Sequence, residues 1–565
     1  MNIINKLNFL DAFTIALSAF LLLILLFTNE KKMKISRMLV VIFPIPAFLS
    51  IYQIAINGFQ ICMMGMYAGA LLSLVCLFLN RHNVRRIISA LAVIGMIGTI
   101  YPCLVSPEYN KPDYLTEFYE VLDTMEEHYV LRYYKEIDFD QLREEYTARF
   151  KEAERLRDLN LWYAAWYDFT KEFHDGHVYI GVNSGTTDYW NAYKYSHAGY
   201  DYGFSCITMS DGRVVFANVE PESDAYACGV RDGLTLLCFD GEDVDYLKST
   251  NHIWYMGFQD TVVEQFFAAL TIPMNGGETA EIKFVNEQGE IVDVVIECYG
   301  ESGYDRYRKT LYQLLQTVDP MYDADQIPNN LSYEILSDDT AILYINDMLI
   351  PTTGIDYSGY IEEAGSSEMY AVMKALLRDE LLAIKEAGCT KLIIDLRANG
   401  GGYLNAAIAM AELFTDETKV ALYEGELVGD NGEYEIGTAA YIHGENIWGD
   451  GEIVVLVNND TASGGEHIEY YLGQLDNVTL MGFTKSNGSA QAISQMEFDR
   501  ISICFPILML LDPDGNILID SAADRVINLE LDVYVPMDDQ AFEAIFINNE
   551  DYLLSYAMDY LSQFE

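Results

Sequence analysis

Basic residues are scarce. The 565-residue chain has 34 Lys+Arg against 86 Asp+Glu, a formal net charge of −52, which excludes a protein that grips phosphate backbones; no nucleic-acid partner is expected. Cysteine is sparse too. Nine occur, with no CxxC and no His/Cys cluster at zinc spacing, so neither a disulfide scaffold nor a zinc module is expected. Low hydrophobicity is also missing: 51% hydrophobic residues with 41 Tyr and 27 Phe exclude wholesale disorder. The length exceeds what one core serves, so two to four domains are expected.

Charge and hydropathy divide the chain. Residues 1–104 carry 8 Lys/Arg and 2 Asp/Glu, a net of +6, and the other 461 carry 26 and 84, a net of −58. Four apolar runs, near 10–28, 38–56, 61–79 and 87–104, are each long enough to cross ~30 Å of hydrocarbon as a helix. A cleavable signal peptide would explain only the first. The links NEKKMKISR and NRHNVRR are basic, and the positive-inside rule puts them in the cytoplasm. The expectation is four transmembrane helices in 1–106, a multi-pass cell-membrane location and an extracytoplasmic acidic body. The rival is a buried helical core.

The acidic body starts helical: Leu115, Phe118, Tyr119, Leu122 and Met125 recur at three- and four-residue steps. Asp138 is placed to cap the following helix, and Asp175-Gly176 marks a turn into a strand. Residues 200–300 hold short β runs such as RVVFANV, TLLCFDG, AEIKFV and IVDVVIEC. From Leu331 onward strands and helices alternate, which implies parallel βαβ units with reactive groups at the strand ends. The six body cysteines, Cys206, Cys228, Cys238, Cys298, Cys389 and Cys504, sit in apolar contexts and are expected to pack as small hydrophobes.

Three segments could carry chemistry. KLIIDLRANGGGYLNAA places Gly400, Gly401 and Gly402 between a strand and a helix, where backbone N–H groups can approach a ligand without a Cβ in the way. Its spacing fits neither GxGxxG nor GxxxxGK(S/T). IVVLVNNDTASGGEHIEYYL places Ser463 at a turn into a helix, either as an exposed nucleophile with N–H groups beside it or as an ordinary helix cap. EFHDGHVYI puts His174 and His177 on either side of a turn. Either could be a general base or a bonded core residue. No HExxH pattern points to a metal, and no metal or organic cofactor is expected. His467, four residues after Ser463, reads as a packed or surface histidine.

Two resemblances join these pieces. YDYGF followed by VVFANVEPESDAYACGVRDGLTLLCFDGEDV resembles a PDZ domain of the kind found inside bacterial proteases, with Tyr202, Gly203 and Phe204 at its carboxylate-binding loop; another small β barrel is the alternative. DGH, the PDZ-like part, DLRANGGG and TASGGE, in that order over roughly 113–540, resemble the C-terminal processing and tricorn-core serine peptidases. The resemblance implies a multi-domain fold. A helical part (107–182), a PDZ-like β domain (195–302) and an α/β crotonase-like, ClpP-like core (303–565) follow the four-helix membrane region.

It also implies a serine endopeptidase acting on peptide or protein substrates, which the membrane orientation read above would place outside the cytoplasm. Ser463 would be the nucleophile, and Gly464 with Gly401 or Gly402 would form the oxyanion hole. A homo-oligomer is left open. Two motif positions depart from the family. Thr484, Gly488 and Gln491 match the processing-peptidase segment T-x-G-K-G-x-x-Q, but the lysine position is Asn487. His177 by tricorn-like resemblance, Lys485 two positions early, or a loss of catalysis are the alternatives. The orienting glutamate position holds Arg525, with Asp524 beside it as a substitute. A catalytically inactive peptide-binding scaffold or sensor of the same fold is the rival function.

Overall fold

The computed structural model describes residues 113–564 apart from 184, 186, 251–260, 320–330, 350–357, 360, 362–367, 430–431 and 521–528. The chain divides into two compact units, Met1–Thr116 with Lys151–Asp158, and Glu117–Phe150 with Leu159–Glu565. Within the first, the Glu154 carboxylate accepts the Leu115 N–H at 3.2 Å. Apart from the helix ends at 114–116 and 151–156, the remaining description concerns the second unit.

One expectation is corrected. The four transmembrane helices, and with them the multi-pass location and the extracytoplasmic body, are not upheld. Among the described residues no helix is long and apolar enough to cross a membrane, and residues 1–106 lie outside the described set. Among the described residues the apolar runs Lys391–Asp395 and Ile453–Leu456 are buried strands, and Leu404–Ala411 is a short buried helix. The fold class is instead mixed α/β with several sheets.

The helices Tyr114–His128, Phe139–Leu156 and Leu159–Lys171 come first. Phe118, Tyr146, Phe150, Trp166 and Phe169 meet in an aromatic cluster, with Phe118 stacked on Phe150 at 4.5 Å between centroids. Next comes β1 (Tyr179–Val182). An antiparallel sheet follows, from β2 (Ser205–Thr208), β3 (Val214–Ala217), β4 (Thr235–Phe239), β5 (Glu242–Asp243), β6 (Thr279–Val285) and β7 (Ile291–Glu297), in the order β2-β3-β4-β6-β7 with β5 on β4. Its core holds Tyr202, Phe204, Phe216, Leu236, Ile282 and Phe284.

The largely parallel sheet contains β8 (Leu331–Ile335), β9 (Thr340–Ile345) and β10 (Lys391–Asp395). After β11 (Thr418–Val428) and β12 (Glu433–His443) it gains β13 (Ile453–Leu456) and β14 (Val478–Gly482). Beyond β15 (Ala492–Glu497) and β16 (Ile501–Leu511) comes its last strand, β17 (Val533–Tyr534). The order is β17-β14-β13-β10-β9-β8, parallel except for the antiparallel β8–β9 edge. Both faces are covered, so these strands are unbroken apolar runs rather than alternating ones. Ile342, Ile393, Val454 and Met481 face Leu311, Leu314 and Leu553. Their neighbours Leu343, Ile394 and Val455 face Leu377, Met410 and Ile468. A third sheet runs β1-β16-β11-β12, with β15 also on β16. Pairing Tyr179 with Cys504 brings the turn before β1 beside a segment more than 300 positions later in the chain.

Candidate active site

β10 and β13 are parallel neighbours, with Asp395 opposite Leu456. Their carboxyl ends therefore open side by side, each into a turn and then a helix: Leu404–Ala411 after β10, Gly464–Leu472 after β13. Asn399, fully buried, knits the turns together. Its Nδ2 donates to the Ile345 carbonyl (2.8 Å), its Oδ1 accepts the Gly401 N–H (2.9 Å), and its carbonyl accepts the Ala462 N–H (3.0 Å).

Gly401 (φ +99°) and Gly402 (φ +137°) are left-handed, and space as well as conformation demands glycine. A Cβ on Gly401 would lie 2.6 Å from Ser463 Cβ and 2.7 Å from Gly464 N; one on Gly464 would lie 3.1 Å from Gly402 N.

Ser463 has φ 55° and ψ −120°, a conformation that costs a non-glycine residue of order 1–3 kcal/mol. The turn holds it there: its N–H donates to the Ser489 carbonyl and the Glu466 carboxylate, both at 3.1 Å. The N–H groups of Gly402 and Gly464, which flank this serine, meet no acceptor among the described residues. Unpaired backbone donors of this kind can stabilise an oxyanion where one forms between them.

His177 is buried, and its backbone N–H donates to Asp175 Oδ1 at 2.9 Å. Its Nδ1 has no hydrogen-bond partner among the described residues. Burial lowers its pKa below the ordinary imidazole value, aided by Lys135 and opposed by Asp175, so the ring is neutral at pH 7 and keeps a lone pair. The turn before it is tied to the serine through Ser489, whose Oγ accepts the Gly176 N–H at 2.9 Å. Among the described residues, however, no hydrogen bond joins His177 to Ser463.

Beneath that turn lies a buried ionic group that gave no sequence signal. Lys135 Nζ donates to the His174 carbonyl (2.8 Å), pairs with Asp520 and lies 3.6 Å from Asp175 Oδ2. The Tyr129 hydroxyl donates to Asp175 Oδ2 at 2.6 Å. Burial pushes the Asp520 carboxyl well above its ordinary pKa against the pull of Lys135. Glu466, also missed, did carry a signal: Ser463 and Glu466 have the S-x-x-E spacing of a capping box. Its carboxylate accepts N–H groups from Ser463, Ser489 (3.0 Å) and Gly488 (2.5 Å), and burial still raises its pKa to about 7.

The other expected residues scatter. Lys485 Nζ is 2.5 Å from Glu530 Oε1 and helps line a cavity of about 430 Å³ with Thr208, Lys248, Phe266 and Tyr534. Asp524 lies outside the described residues. Tyr202 and Phe204 are core residues, and the Gly203 N–H is taken by Asp201 Oδ1 at 2.7 Å, a carboxylate that Arg306 also binds. His467 is packed: Nε2 bonds the Ala490 carbonyl at 2.8 Å, and burial drops its pKa to about 4. All six body cysteines are free thiols.

Two strand–turn–helix units meet at a half-buried serine, and residues 358–524 match the model of Peptidase family S41. That match spans both glycine-rich turns and Ser463. The carboxy-terminal processing protease CtpA of Bacillus subtilis (strain 168) is 27% identical over 166 residues, 28% of this chain and 33% of the relative. A probable CtpA-like serine protease of Staphylococcus aureus (strain COL) is 29% identical over 143 residues, 25% and 27% of the two chains. The chain thus spans a third or less of the length of these curated relatives. Among solved structures, mature CPAF complexed with lactacystin superposes with a TM-score of 0.51 at 14% identity, covering 80% of this chain and 97% of that one. Mature CPAF alone gives 0.50 at 13% identity, covering 80% and 95%. These two likenesses show a shared fold.

Proposed function

We propose that the chain is a serine endopeptidase in which Ser463 attacks a peptide carbonyl and His177 takes the hydroxyl proton. The observation that carries this reading is the strained Ser463 turn packed against the Gly401–Gly402 turn, with the Gly402 and Gly464 N–H groups left without acceptors among the described residues. As Oγ bonds to the carbonyl carbon, the carbonyl oxygen becomes an oxyanion between those two donors. The proton on His177 then passes to the departing amine, leaving an acyl-enzyme that water resolves by the same route in reverse. The neutral, buried imidazole supports the assignment of the base, because only the unprotonated ring can accept. Asp520, 57 positions after Ser463 and paired with the Lys135 that holds the His174 carbonyl, is the acid we place under this turn; Asp524 keeps the role its motif position suggested. The antiparallel sheet of β2–β7 is assigned to substrate docking, with β2 at its edge among the described strands and so able to pair with an extended peptide.

A fluorophosphonate probe tests the reading: the wild type should label and Ser463→Ala should not. His177→Ala should abolish labelling while Lys485→Ala retains it; the reverse pattern assigns the base to Lys485. The second reading, a peptide binder of the same fold that cleaves nothing, is favoured by the missing His177–Ser463 hydrogen bond. A folded wild type that fails to label from pH 6 to 9 selects it.

A further inference from the structure

Ser489 is fully buried, and its three polar groups reach three different pieces of the site. The hydroxyl accepts the Gly176 N–H at 2.9 Å. The carbonyl accepts the Ser463 N–H at 3.1 Å. The N–H donates to the Glu466 carboxylate at 3.0 Å, and that carboxylate accepts the Ser463 N–H as well. Two of these links use backbone atoms and hold the Ser463 turn; the third uses the side chain and holds the turn that ends in His177. That turn is also held by Lys135, which donates to the His174 carbonyl at 2.8 Å, and by packing: Asn487 Oδ1 lies 2.2 Å from where a Cβ on Gly176 would fall.

We propose that Ser489 is a positioning residue that sets the His177 ring against Ser463, an inference that rests on the roles given to those two residues above. Removing its Oγ leaves the carbonyl and N–H bonds intact, so the Ser463 turn stays in place while the Gly176 N–H loses its acceptor. The base then drifts relative to the nucleophile, and a misplacement of ~1 Å costs about 10²-fold in rate. The segment that carries a lysine base in the processing-peptidase pattern therefore has a different task here. It joins the histidine turn to the serine turn.

The test is Ser489→Ala in the full chain, read by the rate of fluorophosphonate labelling across pH and by amide exchange. The expected result is a labelling rate about 10²-fold lower, with faster exchange in 174–178 and unchanged exchange in 461–466. The acidic limb of the rate profile should also move to higher pH. A released turn admits water, and the lowered pKa of His177 then relaxes upward. A rate equal to the wild type overturns the proposal, as does a slower rate with an unmoved limb and unchanged exchange at 174–178. If the alanine variant does not fold, Ser489→Cys, of similar size and with a weaker acceptor, replaces it with the same two criteria. A wild type that never labels overturns the peptidase reading instead; the exchange at 174–178 then still decides whether Ser489 holds that turn.

Discussion

The turn at Ser463 and the turn before His177 lie close together and are built from opposite materials. The first is held by neutral groups: the Asn399 side chain, backbone carbonyls and glycines with no room for a Cβ, with Glu466 the one carboxylate. The second rests on ions: Lys135 between two aspartates, with Tyr129 closing Asp175 from the other side. Neutral hydrogen bonds are directional and cheap to bury, so they can hold a strained serine in one geometry. Buried ions cost desolvation, and they hold only while every partner is present. The comparison therefore predicts that substitutions in the second turn act mainly on stability and substitutions in the first mainly on rate.

Lys135→Met should have the largest effect on stability, about 3–5 kcal/mol from leaving two buried carboxyls without their cation, measured by urea unfolding. A loss under about 1 kcal/mol would break the contrast. Gly401→Ala should lower the labelling rate by ~10²–10³-fold through the displaced oxyanion donors, with a smaller change in the unfolding midpoint. Asn399→Ala should cost about 1–3 kcal/mol, because the Gly401 N–H and the Ile345 carbonyl lose a buried partner; its labelling rate should fall in proportion to how far the two turns separate.

The pH dependence sharpens the same contrast. Burial raises Glu466 to about 7 and Glu469 to about 8. Their contribution to stability is complete below the ordinary glutamate range and is lost as pH rises through those values. His467, lowered to about 4, runs the other way: its contribution is present above the ordinary imidazole value and is lost as pH falls toward 4. Thermal midpoints should therefore be lower at pH 8 than at pH 6.5, and Glu469→Gln should reduce that drop. The smallest effect belongs to Lys485→Ala. Its partner Glu530 is largely exposed, so the change in stability should stay within about 1 kcal/mol.

The same division governs what could be read from the letters. Glycines at a strand end announce a turn because few other residues fit, and the apolar runs of β10 and β13 announce a buried parallel sheet. The placement of Ser463 at a turn into a helix was legible on that account. Lys135 sits in RYYKEID, where nothing marks a cation destined for burial. The contacts of Asp520 with Lys135 and of the Ser489 hydroxyl with Gly176 join positions hundreds of residues apart, which no local spacing encodes. The apolar runs of 1–106 were read by length and hydropathy alone, and that reading is not upheld by any described helix.

Asn487 stands at the lysine position of the related motif, with its amide oxygen filling the gap that Gly176 leaves. Swapping in the longer amine would withdraw that oxygen and press a flexible chain on the histidine loop. A lysine at position 487 should therefore be tolerated only with a compensating change at the Gly176 turn.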